Sequence, residues 1–144
     1  MRSHLQTNTD LNAVTTVLEW FNQVAASLRP PELQWQWQIV LIEGFTNAVR
    51  HAHHHLPSTT PIEIELGISQ QHIELLIWDW GQPFDLKAKL QELIRQEPED
   101  PLEQEAGRGL LLIHKLTDEV KYTRNDERRN CLVMRKSRTQ HTHP

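Results

Sequence analysis

The stretch LIEGFTNAVRHAH, residues 41–53, decides how the chain is read. Leu33, Trp37, Leu41, Phe45, Ala48 and Ala52 recur at helical spacing and predict the core stripe of a helix over about 31–54. Pro31 can open it, because a missing N–H costs nothing in a first turn. Glu43 and Asn47 lie off that stripe, along a second face with Arg50 or His51. Four residues apart, they share one side of the helix. Gly44 sits between them, where glycine costs about 1 kcal/mol against alanine. Taken alone, such a pair is most often a polar face meeting solvent. A core helix interrupted by glycine nevertheless raises the question of what else that face does.

Upstream, Asp10 can cap a helix running to about Leu28, with Leu11, Val14, Leu18, Phe21, Ala25 and Leu28 as its apolar stripe. The start of the chain, Met1 to Asp10, reads as polar and without an element. Downstream, LPSTTP (56–61) is a loop, and IEIELGI and HIELLIWDW alternate as half-buried strands around the short turn SQQ. A short helix is predicted over 87–95. QEPEDPLEQEAG (96–107) is acidic, carries two prolines and has no period. GLLLIHKLTD is a helix beginning just after Gly107-Arg108-Gly109. Two last strands, from Val120 and from Cys131, flank the polar hairpin RNDERRN (124–130). Two helices, two strands, a loop, a helix and two strands predict a two-layer α/β (α+β) sandwich, its sheet mixed but mostly antiparallel, with the helices on one face. The expected domain is 1–138, with 139–144 a disordered tail.

At 144 residues the chain suits one domain. A net charge of −4 leaves no electrostatic footprint for direct nucleic-acid binding. No apolar run is long enough for a membrane span, the start is too polar for a signal peptide, and Cys131 is the sole cysteine. A reduced, cytoplasmic protein is expected. His51 with His54 or His55 has zinc-ligand spacing, but no further group completes a site.

Three motifs could carry chemistry. The Asn47 carbonyl is a neutral oxygen ligand suited to magnesium held chiefly by phosphates and water, and Glu43 could take a proton from an incoming hydroxyl. In WDWGQPFD (78–85), Asp79 ends a strand and can accept from an exocyclic amine such as that of adenine, while Gly81 lets backbone approach a flat ring. An ordinary Asp-Gly turn at a strand end is the equally weighted alternative. In GRGLLLIHKL (107–116), two glycines precede a helix whose first amides can bind phosphate, with Arg108 adding charge or facing solvent. A glycine pair alone is weak evidence, and the alternative is a flexible loop with a glycine helix entry.

In this order and together, the motifs carry a family resemblance. EGFTNAVRHAH, DWGQPFD and GRGLLLIHKLTDEVKY resemble the three boxes of the GHKL ATPases, the Bergerat fold. The Pro83-Phe84-Asp85 ending is similar to that of the anti-sigma factor serine/threonine-protein kinases of bacterial partner switching. The match runs from the first helix to about Lys136, including Asp118, Val120 and Tyr122.

The resemblance implies Glu43 as general base, Asn47 on magnesium and Asp79 on the adenine amine. Gly81, Gly107, Arg108, Gly109 and Leu110 join Asn47 and Asp79 as the implied nucleotide-binding set, with Gly107 and Gly109 at the phosphates. The implied cofactors are ATP and Mg2+, and residues 86–106 would be a lid over the nucleotide. The implied function is phosphorylation of a STAS-domain anti-sigma-factor antagonist and, otherwise, sequestration of a sigma factor. Dimers are common in that family, and the first-helix stripe could contribute to one, although such a stripe more often belongs to the core. One departure stands out. The last strand of that family usually begins Gly-Thr, and here Asn130-Cys131 takes that place. Cys131 at the hydroxyl position predicts a weaker hydrogen bond to the pocket. Cys131, together with Gly44 and Phe45 as unusual residues inside the first box, makes a protein-binding module with little kinase activity the alternative, and an ATPase or histidine-kinase catalytic domain the third reading.

Overall fold

The computed structural model describes residues 1–96 and 108–138. Strand β1 (Arg2–Thr7) opens the chain, followed by a single 3-10 turn (Leu11–Ala13), helix α1 (Val14–Val24) and helix α2 (Pro31–Asn47). A wide π turn (Ala48–Ala52) extends α2. Strands β2 (Ile62–Ile68) and β3 (His72–Asp79), helices α3 (Leu86–Gln96) and α4 (Arg108–Leu116), and strands β4 (Glu119–Arg124) and β5 (Asn130–Ser137) complete the order.

The sheet runs β1-β2-β3-β5-β4. Every described pairing is antiparallel, so the expected mixed sheet is corrected. Hairpins join β2 to β3 and β4 to β5, while the connection through α3 and α4 crosses over so that β5, not β4, lies beside β3. The two-layer arrangement is as expected. Ile62, Ile64 and Leu66 of β2, Ile73, Leu75 and Ile77 of β3, and Leu132 and Met134 of β5 are buried beneath the helices. Trp37, Leu41 and Phe45 of α2 meet them, all fully buried, each contributing roughly 1.5–3 kcal/mol of burial. Gly44 brings α2 down onto this layer: a Cβ there would lie 2.6 Å from Cδ1 of Ile77 and 3.6 Å from Cε of Met134. The glycine that weakens the helix in isolation permits its close seat on the sheet.

Four local expectations are corrected. Residues 2–7 are an edge strand, not an unstructured start; only Leu5 of β1 packs against the core, too little for an apolar alternation. Asp10 caps the 3-10 turn by accepting from Asn12 N–H at 2.9 Å, but α1 ends at Val24. Its buried face runs through Val17, Phe21, Ala25 and Leu28, leaving Leu11 exposed and Leu18 half-buried. Both stripes satisfy three-and-four spacing, and tertiary contact selects between them. Finally, α4 begins at Arg108 rather than after Gly109 and ends at Leu116. The expected lid begins as helix α3; its remainder, Gly107 and the expected tail lie outside the described residues.

On the open side of the sheet, ion pairs tie the strands across their register. Arg2 reaches Glu65 at 3.2 Å and Glu74 at 2.7 Å, and Arg129 reaches Glu63 at 2.7 Å. The Arg129 guanidinium also lies 4.2 Å over the Trp78 ring.

Candidate functional site

The carboxyl end of β3 carries the most densely bonded polar cluster of the described residues. Asp79 is 3% exposed. Its Oδ1 accepts from Gly81 N–H at 2.9 Å and from Asn130 Nδ2 at 2.8 Å. Its Oδ2 accepts from the Tyr122 hydroxyl at 3.1 Å. A carboxylate has about four acceptor sites, so three donors leave one, on Oδ2. Burial, then the field of Asp79 and the hydrogen bond to it, push the Tyr122 phenol far up from its ordinary value, so it stays a donor. Phe84 packs on the Tyr122 ring at 4.6 Å between centroids.

Asn130 sits directly opposite Asp79 in the β3–β5 register. Its Nδ2 gives its second hydrogen to Gly81 O at 2.8 Å. Because both partners are acceptors, the orientation of the carboxamide is fixed. The residue on Asp79 is therefore Asn130, and the expectation that Cys131 takes the hydroxyl's place is corrected. Cys131 pairs with Trp78 on the other side of the strand, buried, its thiol pushed up to about 12 mainly by that burial.

Gly81 closes the turn. A Cβ there would lie 2.0 Å from the Ala52 carbonyl oxygen, so only glycine lets the turn meet the π segment. That segment exists because His53 N–H bonds back to Ala48 O at 2.8 Å, five residues away. The widened turn rotates His53 inward to 1% exposure, while His51, His54 and His55 stay at the surface. Trp80 N–H donates to His53 Nε2 at 2.8 Å, which leaves the ring hydrogen on Nδ1, 2.8 Å from Thr9 Oγ1. Thr9 Oγ1 passes its own hydrogen to Thr60 O at 2.7 Å. Burial lowers the His53 pKa, and the field of Asp79 opposes this.

A cavity of about 360 Å³ opens beside the turn, lined by Asn47, His51, Ala52, Gln82, Phe84, Lys89 and Leu110. Asn47 and Leu110 thus face one space. Asp79 and Gly81 lie behind its wall, Gly81 against Ala52 and Asp79 through the Tyr122–Phe84 pair. Glu43, one helical turn before Asn47, packs against the first turn of α4: a Cβ on Gly109 would meet Glu43 Oε2 at 2.4 Å. A carboxylate there is favourably placed on the helix dipole. Arg108 is exposed. The structure thus brings Glu43 to Gly109, Asn47 to Leu110 and Asp79 to Gly81, three junctions along one seam between α2, α4 and the end of β3.

The fit for a nucleotide with magnesium rests on these groups. Among the described residues the side chains of Glu43 and Asn47 have no hydrogen bond or ion pair, so both are open to a ligand. Among the described residues no group of three or more His, Cys, Asp or Glu could hold a metal; a single carboxamide oxygen suits an ion that draws its other ligands from phosphate and water. His53 and Asn130 are site residues that sequence reasoning missed. The signal for Asn130 was its place opposite Asp79 once β3 and β5 are paired; for His53, one of four histidines in HAHHH, the sequence holds no distinguishing signal.

The chain matches the family model described as histidine kinase-like ATPase domain over residues 7–136. A serine-protein kinase RsbW from Oceanobacillus iheyensis is 43% identical over 86 residues, 58% of this chain and 54% of that protein. Its counterpart of the same name from Bacillus subtilis is 34% identical over 86 residues, with 58% and 53% covered. The chain thus spans about half the length of these relatives. Among solved structures, the RsbU and RsbW domains of a Mycobacterium tuberculosis protein give a TM-score of 0.64 at 15% identity, covering 100% of this chain and 35% of that one. A chain of the SiaB–SiaC complex from Pseudomonas aeruginosa gives 0.63 at 13%, covering 94% and 89%. At such identities the likeness is one of fold.

Proposed function

Because the chain belongs to the histidine kinase-like ATPase domain family, we propose that it binds ATP with magnesium, phosphorylates a serine or threonine of a STAS-domain anti-sigma-factor antagonist, and otherwise sequesters a sigma factor. The observation that carries the reading is that Asn47 and Leu110 line one cavity, with Glu43 against Gly109 one helical turn before Asn47 and the turn of Asp79 and Gly81 against Ala52 in the cavity wall. The names of the relatives, serine-protein kinase RsbW, support the reaction class. The complex seen for SiaB with SiaC supports a protein partner for this fold.

In this reading the free Oδ2 site of Asp79 accepts from the adenine amine, and the first turn of α4, with Gly107, Arg108 and Gly109, meets the phosphates. Asn47 is the magnesium ligand, and the ion when bound neutralises phosphate charge. The partner's hydroxyl oxygen bonds to the γ-phosphorus as the bridging P–O bond to ADP breaks, and Glu43 takes the hydroxyl proton. Positioning and charge neutralisation do most of the work. No described helix is long and apolar enough to cross a membrane, and the reading places the protein in the cytoplasm. With Asn130 rather than Cys131 on Asp79, one of the two motives for the alternative, a nucleotide-poor binding module, falls away, and the unusual Gly44-Phe45 of the first motif is the other.

Calorimetric titration with Mg-ATP, followed by incubation with the antagonist, tests the proposal. Saturable heat and phosphoserine or phosphothreonine on the partner are expected. Binding without transfer would leave a regulatory module, and absence of nucleotide binding would remove the reading.

A further inference from the structure

The base-recognising turn is held from two sides. Asn130 grips it through Asp79 Oδ1 and Gly81 O. On the other side the backbone N–H of Trp80, the residue between Asp79 and Gly81, ends on His53 Nε2 at 2.8 Å. His53 is anchored in turn by Thr9, whose backbone N–H bonds to Ser58 O at 3.0 Å and whose hydroxyl bonds to Thr60 O. The imidazole therefore bridges the loop after β1, the π turn that walls the cavity and the turn bearing Asp79. Few side chains could replace it: the site needs an acceptor toward Trp80 and a donor toward Thr9 within one flat group. Only a neutral ring with its hydrogen on Nδ1 meets both requirements.

We propose that His53 is a positioning residue for nucleotide recognition, its Nε2 fixing the Trp80 N–H and with it the placing of the Asp79 carboxylate under the base. This rests on the reading that Asp79 takes the exocyclic amine. Without the acceptor, the part-buried Trp80 N–H loses its partner and the turn shifts to find another, carrying Asp79 with it. The consequence falls on the base end alone. Glu43, Asn47 and Gly109 are held by α2 and α4 and do not depend on this bond.

The test measures affinity of the full chain for Mg-ATP and for Mg-ITP, whose base lacks the amine. The wild type is expected to prefer ATP. His53→Phe, which keeps an aromatic ring without acceptor or donor, is expected to bind ATP up to roughly 10-fold more weakly, the scale of one hydrogen bond lost, with ITP affinity nearly unchanged. His53→Gln, whose Oε1 can accept from Trp80, is expected to restore most of the preference. Thr9→Val removes the acceptor that holds the ring hydrogen on Nδ1, and a smaller loss in the same direction is expected; this variant keeps the test open should His53→Phe not fold. Wild-type selectivity in both His53→Phe and Thr9→Val overturns the inference, as does an equal loss for ATP and ITP, the mark of a merely structural residue. A wild type that binds neither nucleotide sinks the nucleotide reading and this inference together, whereas a wild type that binds both equally refutes amine recognition by Asp79.

Discussion

The two ends of the seam are built differently. At the end of β3 the hydrogens of the turn are committed: Asp79 has three donors, Asn130 spends both hydrogens of Nδ2 though its buried Oδ1 has no partner among the described residues, and His53 uses both ring nitrogens. At the junction of α2 and α4, the side chains of Glu43 and Asn47 have no hydrogen-bonding partner among the described residues, and Gly109 leaves room for the glutamate. One end has its hydrogen bonds made before any ligand arrives. The other keeps its groups uncommitted, as suits a place where charge develops and moves. The lesson is that preorganisation is spent where recognition needs it, and reactive groups are left with open valences for hydrogen bonding.

The sharpest way to break this comparison is Glu43→Ala. Phosphoryl transfer is expected to fall by about 10²–10⁴-fold while the dissociation constant for Mg-ATP stays put, read by phosphate incorporation beside calorimetry. Unchanged transfer would take Glu43 out of the base role. Next in size is Asp79→Asn. A carboxamide cannot accept through both arms from Gly81, Asn130 and Tyr122, so ATP affinity should drop by roughly 10–100-fold, and unaltered affinity would mean the base binds elsewhere.

Gly109→Ala probes the line between the ends. The new Cβ would meet the tip of a flexible side chain, so Glu43 yields and the fold keeps its stability or gains up to about 1 kcal/mol of helix propensity. Transfer should nevertheless fall by about 10-fold as the base is displaced. In a Glu43→Ala background the same substitution should cost nothing further, and a second loss there would show that Gly109 acts on phosphate independently.

The smallest effect concerns pH. The folded chain holds His53 below its ordinary value of 6.5, so below that value the unfolded chain takes up a proton that the native chain refuses. Stability should decline as pH falls from about 6.5, by at most about 1.4 kcal/mol per unit, and level off below the folded value. Urea midpoints for the wild type and His53→Gln should diverge only in that acidic window.

Much of this molecule could be read from its sequence. The alternation in IEIELGI and HIELLIWD located β2 and β3, and the core stripe of α2 was right from Leu33 to Ala48 because one face of that helix meets a wholly apolar layer. Strand β1 was not legible, since an edge strand with a single core residue, Leu5, has no apolar period to find. Val17 was passed over for Leu18 because α1 presents two acceptable stripes. The residues at the three junctions were marked by motif, whereas Asn130 and His53 were not. Each becomes a site residue through a partner distant in sequence: Asn130 through strand register and His53 through a helical irregularity set by packing. Local patterns carry little information about either.

The π turn has one more consequence. Successive residues of a regular helix differ in direction by about 100°, so an extra residue in the loop of hydrogen bonds acts as a phase shifter between the segments on either side. Residues up to Asn47 keep the heading set by α2, while those after Ala52 are re-aimed at the strand end. Five residues of the wide turn cover about the same angle as four of a regular helix, so deleting one residue within 48–52 would make the segment regular and leave the imidazole aimed at the strand end. Straightening the turn with all its residues kept would instead swing His53 away by about 100°, and the two halves would no longer address the same cleft.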